Sequence, residues 1–285
     1  MPAITTVIPV FNRAHVVEKA IVSALSQELP TGCSLDVIAV DDGSTDDLAA
    51  VLQRFGSKIT CIKHAQNKGA AAARNTGIAA AKGDYVAFLD SDDAWLPGKI
   101  AAQIAFMERH GYPASCTAYV LVRAGLEDIV SPSYRTGALR LSDLAWGCFV
   151  SPGSTLVCRR EVFSTIGAFD VELQRLEDWD WLLRYARAHD LGFLATPLAS
   201  IEARPYRDTT KALGAIDRLD TSYASGLAPP DSRRLRAALE VQRAALYLRD
   251  RDWFSAAQSL ANSLRLVPWR NKALGAVLHN RRTRG

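Results

Sequence analysis

Apolar residues along the first third of the chain fall into short runs bounded by turn residues, and these alternate with segments of helical period. Ile4–Val10 is β-branched, short and stopped by Pro9 and Asn12, which predicts a buried strand. In Val16–Leu25 the apolar positions Val17, Ala20, Ile21, Ala24 and Leu25 repeat at the spacing of one helix face. A second strand is expected over Leu35–Val40, then a helix marked by Leu48, Val51, Leu52 and Phe55 with Ser44 or Thr45 as its cap. Ile59–Ile62 reads as a third strand, and the Ala-rich stretch Ala70–Ala81, between Gly69 and Gly83, as a helix. Tyr85–Leu89 makes a fourth strand and Pro97–Glu108 a helix with Pro97 near its first turn. Alternation at this interval predicts right-handed βαβ units and an α/β fold, its mostly parallel sheet flanked by helices.

Beyond about residue 115 the alternation loosens. Ser115–Val122 and Thr155–Arg159 read as strands, and the polar Gly-, Pro- and Ser-rich stretch between them as loop. Leu176–Ala188 is expected to be helical and Phe193–Leu198 a short strand. Thr209–Ala224 and Ser232–Arg249 read as helices separated by Gly226 and a break at Pro229-Pro230, and Asp252–Val267 as a further helix ended by Pro268. The α/β body is expected to end near residue 205, leaving residues 206–285 as a helical appendage.

Composition narrows the class. Of 285 residues 48% are apolar and 22% charged, which excludes a disordered chain or a coiled-coil rod. Charge is uneven: residues 232–285 hold 12 Lys/Arg and 3 Asp/Glu, so the preceding residues hold 22 against 27 and are mildly acidic. That balance argues against a nucleic-acid partner, which would need basic residues on the main surface. Five scattered cysteines without CxxC spacing read as thiols in a reducing compartment. With no signal-like N-terminus and no apolar run of about 18 residues, the expectation is a cytoplasmic chain that does not span a membrane.

The chemistry sits at strand ends, where open α/β sheets bind ligands. Strand two runs into Asp41-Asp42-Gly43-Ser44, and strand four into Asp90-Ser91-Asp92-Asp93. Five carboxylates brought to one rim repel one another unless a cation or a donor-rich ligand occupies the site.

These residues carry a family resemblance. Pro9-Val10-Phe11-Asn12, Val40-Asp41-Asp42-Gly43-Ser44-Thr45-Asp46, Asn67-Lys68-Gly69 leading to Ala73-Arg74-Asn75, and Phe88-Leu89-Asp90-Ser91-Asp92-Asp93 resemble the ordered motifs of family 2 glycosyltransferases. Gly167-Ala168-Phe169-Asp170 followed by Leu176-Glu177-Asp178-Trp179-Asp180-Trp181 and Arg184 resembles that family's acceptor-side motif. The resemblance implies a Rossmann-like GT-A fold over residues 1–205, with residues 1–112 as the nucleotide-sugar half and 113–205 as the acceptor half. It implies an inverting transferase that moves a sugar from a nucleotide diphosphate sugar, UDP-linked in preference, to a glycan or lipid-linked glycan in surface polysaccharide synthesis.

Matched position by position, Asp42 is expected to accept from a base N–H, with Pro9, Val10, Phe11 and Asn12 flanking the base. Arg74 and Lys68 are expected at the pyrophosphate, Arg74 in forked geometry. Asp90-Ser91-Asp92 matches the DxD signature: Asp92 is the expected ligand of Mg²⁺ or Mn²⁺, which favour carboxylate and phosphate oxygens, and Asp90 is expected to reach ribose or sugar. Asp93 is either part of this site or a cap for the next helix. Asp178 is the expected general base, with Glu177 and Asp180 as rivals. Trp179 and Trp181 offer flat faces to a sugar, and core packing of at least one competes with that role.

One departure from the family pattern is legible. The five histidines lie at no metal-ligand spacing, and Ala203-Arg204-Pro205-Tyr206-Arg207-Asp208 has no histidine where family members often carry one, so Arg204 or Arg207 is left to meet phosphate. Asp252-Trp253, Ala256, Leu260, Ser263-Leu264 and Pro268 resemble the second half of a tetratricopeptide repeat, either packed on the body or forming a docking face. Arg281-Arg282-Thr283-Arg284 reads either as a peripheral contact with anionic lipid at the inner membrane face or as a frayed tail. A phosphatase, a sugar nucleotidyltransferase and a catalytically degenerate scaffold are the competing functions. Asp90 on the fourth strand rather than the first disfavours a phosphatase, and the lack of glycine over residues 9–16 disfavours a nucleotidyltransferase.

Overall fold

A computed structural model describes residues 2–123, 126–203, 208–223 and 226–267. Arg204, Arg207, Pro268 and the Arg281-Arg282-Thr283-Arg284 cluster lie outside the described residues. The chain forms two compact units: Met1–Ala138 with Phe149–Glu172 and Ala188–Arg204, and Leu139–Cys148 with Leu173–Arg187 and Pro205–Gly285.

In chain order the first elements are β1 (Ala3–Val10), α1 (Val17–Leu25), β2 (Ser34–Asp41), α2 (Leu48–Gln53), β3 (Thr60–Lys63), α3 (Ala70–Ala80) and β4 (Tyr85–Phe88). Next come β5 (Ala94–Trp95), α4 (Lys99–His110), β6 (Ala114–Val122), β7 (Ile129–Ser131), β8 (Gly137–Leu139), α5 (Leu141–Leu144), α6 (Pro152–Thr155) and β9 (Val157–Arg159). The last are α7 (Val162–Ile166), α8 (Glu177–Ala186), β10 (Leu191–Glu202), α9 (Thr209–Tyr223), α10 (Pro229–Arg249) and α11 (Trp253–Leu266).

In the first unit the strands lie in the order β3-β2-β1-β4-β9-β6-β10-β5, with β7 on β6 and β8 on β10. The β3-β2-β1-β4 half is parallel throughout. β1 reads as a continuous apolar run because it is central and covered on both faces: Ile4, Val7, Ile8 and Val10 are all buried. Ile4, Ile8 and Val10 share one core with Val17, Ala20, Ile21 and Ala24 of α1. β9 enters antiparallel to both β4 and β6, so the sheet is mixed and its second half departs from simple βαβ winding.

Several local expectations are corrected. Ser44 and Thr45 do not cap α2, which starts from Asp47 with no side-chain cap bond; they bind Asn12 instead. The polar stretch expected as loop contains β7, β8, α5 and α6, and Thr155 closes α6 rather than opening β9. β10 runs twelve residues, well beyond the apolar Phe193–Leu198. Pro229-Pro230 begins α10 rather than breaking the chain, because a helix's first turn has no use for those missing N–H groups.

In the second unit α8 to α10 share a core of Trp179, Leu183, Ile216, Leu219, Tyr223, Leu235 and Leu239. Ser263 Oγ of α11 donates to the Ala237 carbonyl of α10 at 2.8 Å, and Asp252 caps α11 by accepting from Ser255 N at 3.0 Å. No described helix is long and apolar enough to cross a membrane.

Candidate active site

Parallel pairing brings the C-terminal ends of β2, β1 and β4 to one rim. Val10 pairs with Asp41, and Val7 pairs with Phe88, so the loops after the three strands start side by side. The loops after β1 and β2 are bonded to each other. Asp42 N donates to Val10 O at 2.8 Å. Asn12, in the left-handed region at φ 52°, donates its N–H to Ser44 Oγ at 3.0 Å and accepts from Thr45 N at 2.9 Å through Oδ1. Gly43 makes the β2 turn possible. Its φ is 77°, and a Cβ there would stand 2.6 Å from the Gln66 backbone. Phe11, by contrast, is 42% exposed and presents its ring at the rim.

Asp42 is almost wholly buried. Its Oδ1 accepts from His64 Nδ1 at 2.6 Å and from Lys68 N at 2.9 Å, and its Oδ2 from Gly69 N at 2.8 Å. Three of the roughly four lone-pair sites of the carboxylate are therefore engaged within the chain. His64 is in turn tied to Thr76 Oγ1 of α3 at 2.8 Å. Asp42 thus anchors the whole turn between β3 and α3, a task that sequence reasoning did not give it. Lys68 meets Asp42 through its backbone N–H, and its side chain is exposed.

Arg74 of α3 is buried, donates from Nη2 to Asp90 Oδ1 at 2.8 Å, and places its guanidinium 5.7 Å from the Phe169 ring centre. Next to it, Asn75 grips Phe169 by both backbone groups, donating to its O at 2.8 Å and accepting from its N at 2.9 Å. The Gly167-Ala168-Phe169 segment is thereby fixed to α3. Asp92 lies 3.9 Å from Arg13 Nε, and Ser91 is buried.

Asp93 does not cap α4, whose N-cap is Gly98. It is buried, accepts from Ser154 Oγ at 2.5 Å and from Glu202 N at 3.0 Å, and ties the loop to α6 and the end of β10. Burial, and then the charge of Asp90 beside it, push its pKa up to about 8.

The donor set suits a hard cation. Asp90 and Asp92 keep side-chain exposures of 37% and 21%, so both carboxylates are reachable from solvent at the rim. Among the described residues no group of three or more His, Cys, Asp and Glu is arranged to hold a metal by itself. Mg²⁺ and similar ions commonly take one or two carboxylates and complete their shell with phosphate oxygen and water, and Asp92 with Asp90 fits that habit.

The second unit carries the remaining expected residues at the start of α8. Leu176 begins this helix at φ 64°, a left-handed conformation that costs a bulky residue about 1–3 kcal/mol and is held here by burial of its side chain. Glu177, Asp178 and Asp180 fill the first turn, where the helix dipole favours carboxylates. Asp178 accepts from Trp179 N at 2.7 Å through Oδ1, and its Oδ2 lies 3.8 Å from Cys148 Sγ.

Asp180 is committed to packing: Tyr223 Oη donates to its Oδ1 at 2.8 Å and Arg184 Nε to its Oδ2 at 2.9 Å. Burial, and then the Asp180 charge, raise the Tyr223 phenol far above its ordinary value. Trp179, expected to stack on a sugar, is wholly buried and donates its indole N–H to Leu144 O at 2.8 Å, so it serves the core. Trp181 is also buried and stacks on Tyr185, with ring centres 5.4 Å apart.

The chain is similar to known proteins in sequence and in fold. The chain is 43% identical over 109 residues to a UDP-Glc:alpha-D-GlcNAc-diphosphoundecaprenol beta-1,3-glucosyltransferase, WfaP, of Escherichia coli, an overlap of 38% of this chain and 42% of that one. Its fold superposes on S. aureus TarS 1-349, solved in complex with UDP-GlcNAc, at a TM-score of 0.72 and 18% identity, covering 95% of this chain and 83% of the other. It also superposes on the mannosyltransferase PcManGT of Pyrobaculum calidifontis, solved with GDP-Man and Mn2+, at a TM-score of 0.62 and 22% identity, covering 98% and 80%. These neighbours share the GT-A fold. The profile of glycosyl transferase family 2 matches residues 5–167, more than half of the chain and all three rim loops, and the protein belongs to that family.

Proposed function

We propose that this glycosyltransferase moves a sugar from a UDP-sugar to a glycan or lipid-linked glycan acceptor, with inversion at the anomeric carbon and with Mg²⁺ or Mn²⁺ at the diphosphate. One observation carries the reading: Asn12, Asp42, Arg74, Asp90 and Asp92 stand on α3 and on the loops after β1, β2 and β4, which start side by side at one rim, with Asn12, Asp42, Arg74 and Asp90 fixed by hydrogen bonds and Asp92 3.9 Å from Arg13. Phe11 and the β1 end flank the base, and Asp42, through its remaining lone pair, accepts from the base N–H. Asp90 receives a hydroxyl of ribose or sugar. Arg74 steadies Asp90 and lies close enough to the rim to add positive charge near the pyrophosphate. Asp92 holds the cation, which supplies Lewis-acid stabilisation of the departing diphosphate.

Asp178 is the general base. It takes the acceptor hydroxyl proton as the oxygen attacks, and one base acting opposite the leaving group gives inversion. Glu177 supports the acceptor side. Functionally, residues 1–112 serve the donor, 113–205 the acceptor, and 206–285 form the helical region. The sequence cluster Arg281-Arg282-Thr283-Arg284 supplies the charge for a peripheral contact with anionic lipid. A UDP-sugar and a diphosphoundecaprenol-linked acceptor appear in the name of the Escherichia coli relative, and a UDP-sugar in the TarS complex, which supports the choice of base and of acceptor class. The Mn2+ in the mannosyltransferase complex supports the metal.

A thermal-shift panel of UDP, GDP and TDP with and without Mn²⁺ tests the donor assignment. At a hundredfold excess over its Kd a ligand of the folded state alone adds about 2.7 kcal/mol. UDP is expected to shift melting most, and more with Mn²⁺. Equal response to all three, or to none, contradicts it.

A further inference from the structure

We propose that Gly153 and Ser154, on the one-turn helix α6, are positioning residues that seat the Asp90 carboxylate and the loop that carries it; this rests on the assignment of Asp90 to the donor. Ser154 alone grips the Asp90–Trp95 loop at three points. Asp90 N donates to Ser154 Oγ at 3.1 Å, Ser154 Oγ donates to Asp93 Oδ2 at 2.5 Å, and Trp95 Nε1 donates to Ser154 O at 2.8 Å. The start, middle and end of that loop are thus registered against one residue.

Gly153 acts by what it lacks. A Cβ there would lie 2.4 Å from Asp90 Oδ2 and 3.0 Å from Oδ1. The Asp90 carboxylate therefore occupies the side-chain space of residue 153, while Arg74 holds its Oδ1 at 2.8 Å. Asp90 is confined from both oxygens yet keeps a 37% exposed side chain.

α6 is itself rigid. It starts from Ser151 in the left-handed region at φ 47°, Thr155 Oγ1 donates to Val150 O at 2.5 Å, and Thr155 O accepts from Gln103 Nε2 of α4 at 2.9 Å. Ser154 and Thr155 are both fully buried. An ordinary packing role does not call for a bare glycine against a carboxylate open to solvent, whereas a seat for a binding carboxylate does.

An alanine at 153 must push the Asp90 carboxylate away by about 1 Å to reach ordinary contact near 3.4 Å. Gly153 has no positive φ, so the backbone accepts alanine. The test is a double-mutant cycle of Gly153→Ala and Asp90→Ala, read by calorimetric titration of a UDP-sugar with Mn²⁺ and by urea melts of each chain.

Gly153→Ala is expected to lower affinity about tenfold to hundredfold, the worth of a hydrogen bond to a charged acceptor. It should leave the melt close to that of the parent and have no further effect once Asp90 is alanine. Undiminished affinity in Gly153→Ala, or an equal loss in the Asp90→Ala background, overturns the positioning role. A Gly153→Ala chain that fails to fold must recover in the double variant, where the clashing oxygen is gone, and failure to recover also overturns it. A parent whose affinity ignores Asp90→Ala sinks the donor assignment itself and the seat with it.

Discussion

Lys99, in the first turn of α4, is a fully buried ammonium, and its replacement by methionine should change how stability depends on pH. Nζ donates to Gln103 Oε1 at 2.7 Å, lies 3.4 Å from Thr155 O, and stands 4.5 Å from the Trp95 ring centre. Burial pulls its pKa down to about 7 from the ordinary 10.5, and Cys116 pulls weakly the other way. Between those two values the unfolded chain binds a proton that the folded chain does not, so stability rises with pH through this window and the gain is complete above the unfolded value. One proton is worth about 1.4 kcal/mol per pH unit, which gives a rise of about 2.5 kcal/mol between about pH 7.5 and 9.5.

Cys158 and Cys61, whose thiols are raised by burial, act in the opposite sense as pH climbs, but they are common to parent and variant. The diagnostic is therefore the difference between the two urea-unfolding free energies across the pH range. Lys99→Met also leaves Gln103 Oε1 without its donor, at about 1–3 kcal/mol, a constant offset that does not bend the curve. Parallel curves for parent and variant would refute the buried-ammonium assignment.

Asp42→Ala removes the acceptor for His64, Lys68 N and Gly69 N, and should cost about 3 kcal/mol or more of stability together with uridine affinity; an unchanged urea melt would show that Asp42 does not hold the turn between β3 and α3. Asp92→Asn should weaken UDP binding in Mn²⁺ while leaving metal-free binding near the parent value. Calorimetry giving the parent's metal-dependent affinity would remove Asp92 as the cation's ligand.

The parts that were legible in the sequence share one property: the signal is local. β1, β4 and the second half of β2 announce themselves because strands covered on both faces need unbroken apolar runs, and the carboxylates follow at once at Asp41-Asp42 and Asp90-Ser91-Asp92. The Asp42–His64 bond was within reach, since Asp41 pairs with Lys63 in parallel register and the next residues on each strand are those two. Metal-ligand spacing of the histidines does not reveal this pair.

Other features had no local signal at all. Asn75 grips Phe169 across 94 residues and Ser154 holds Asp90 across 64, and neither spacing has a periodicity to reveal it. β5, β7, β8 and α5 to α7 are two to five residues long, too short for a period. The antiparallel entry of β9 is a pairing choice, invisible in Val157–Arg159 itself. Trp179 and Asp180 looked functional because aromatic and acidic residues cluster there, but burial against α5 and α9 gives both to the core.

Whether this chain transfers a sugar with Asp178 as base is tested by comparing the parent with Asp178→Asn. Both are incubated with a labelled UDP-sugar, Mn²⁺ and a diphosphate-lipid-linked acceptor, with UDP affinity measured on the same preparations. Asparagine is nearly isosteric but cannot take the acceptor's proton, and loss of a general base costs about 10²–10⁴-fold in rate. The expected result is inverted product from the parent, and turnover reduced by that factor in Asp178→Asn with UDP affinity unchanged. Parent-like transfer by Asp178→Asn, or no transfer by a parent that binds UDP and its sugar, contradicts the claim.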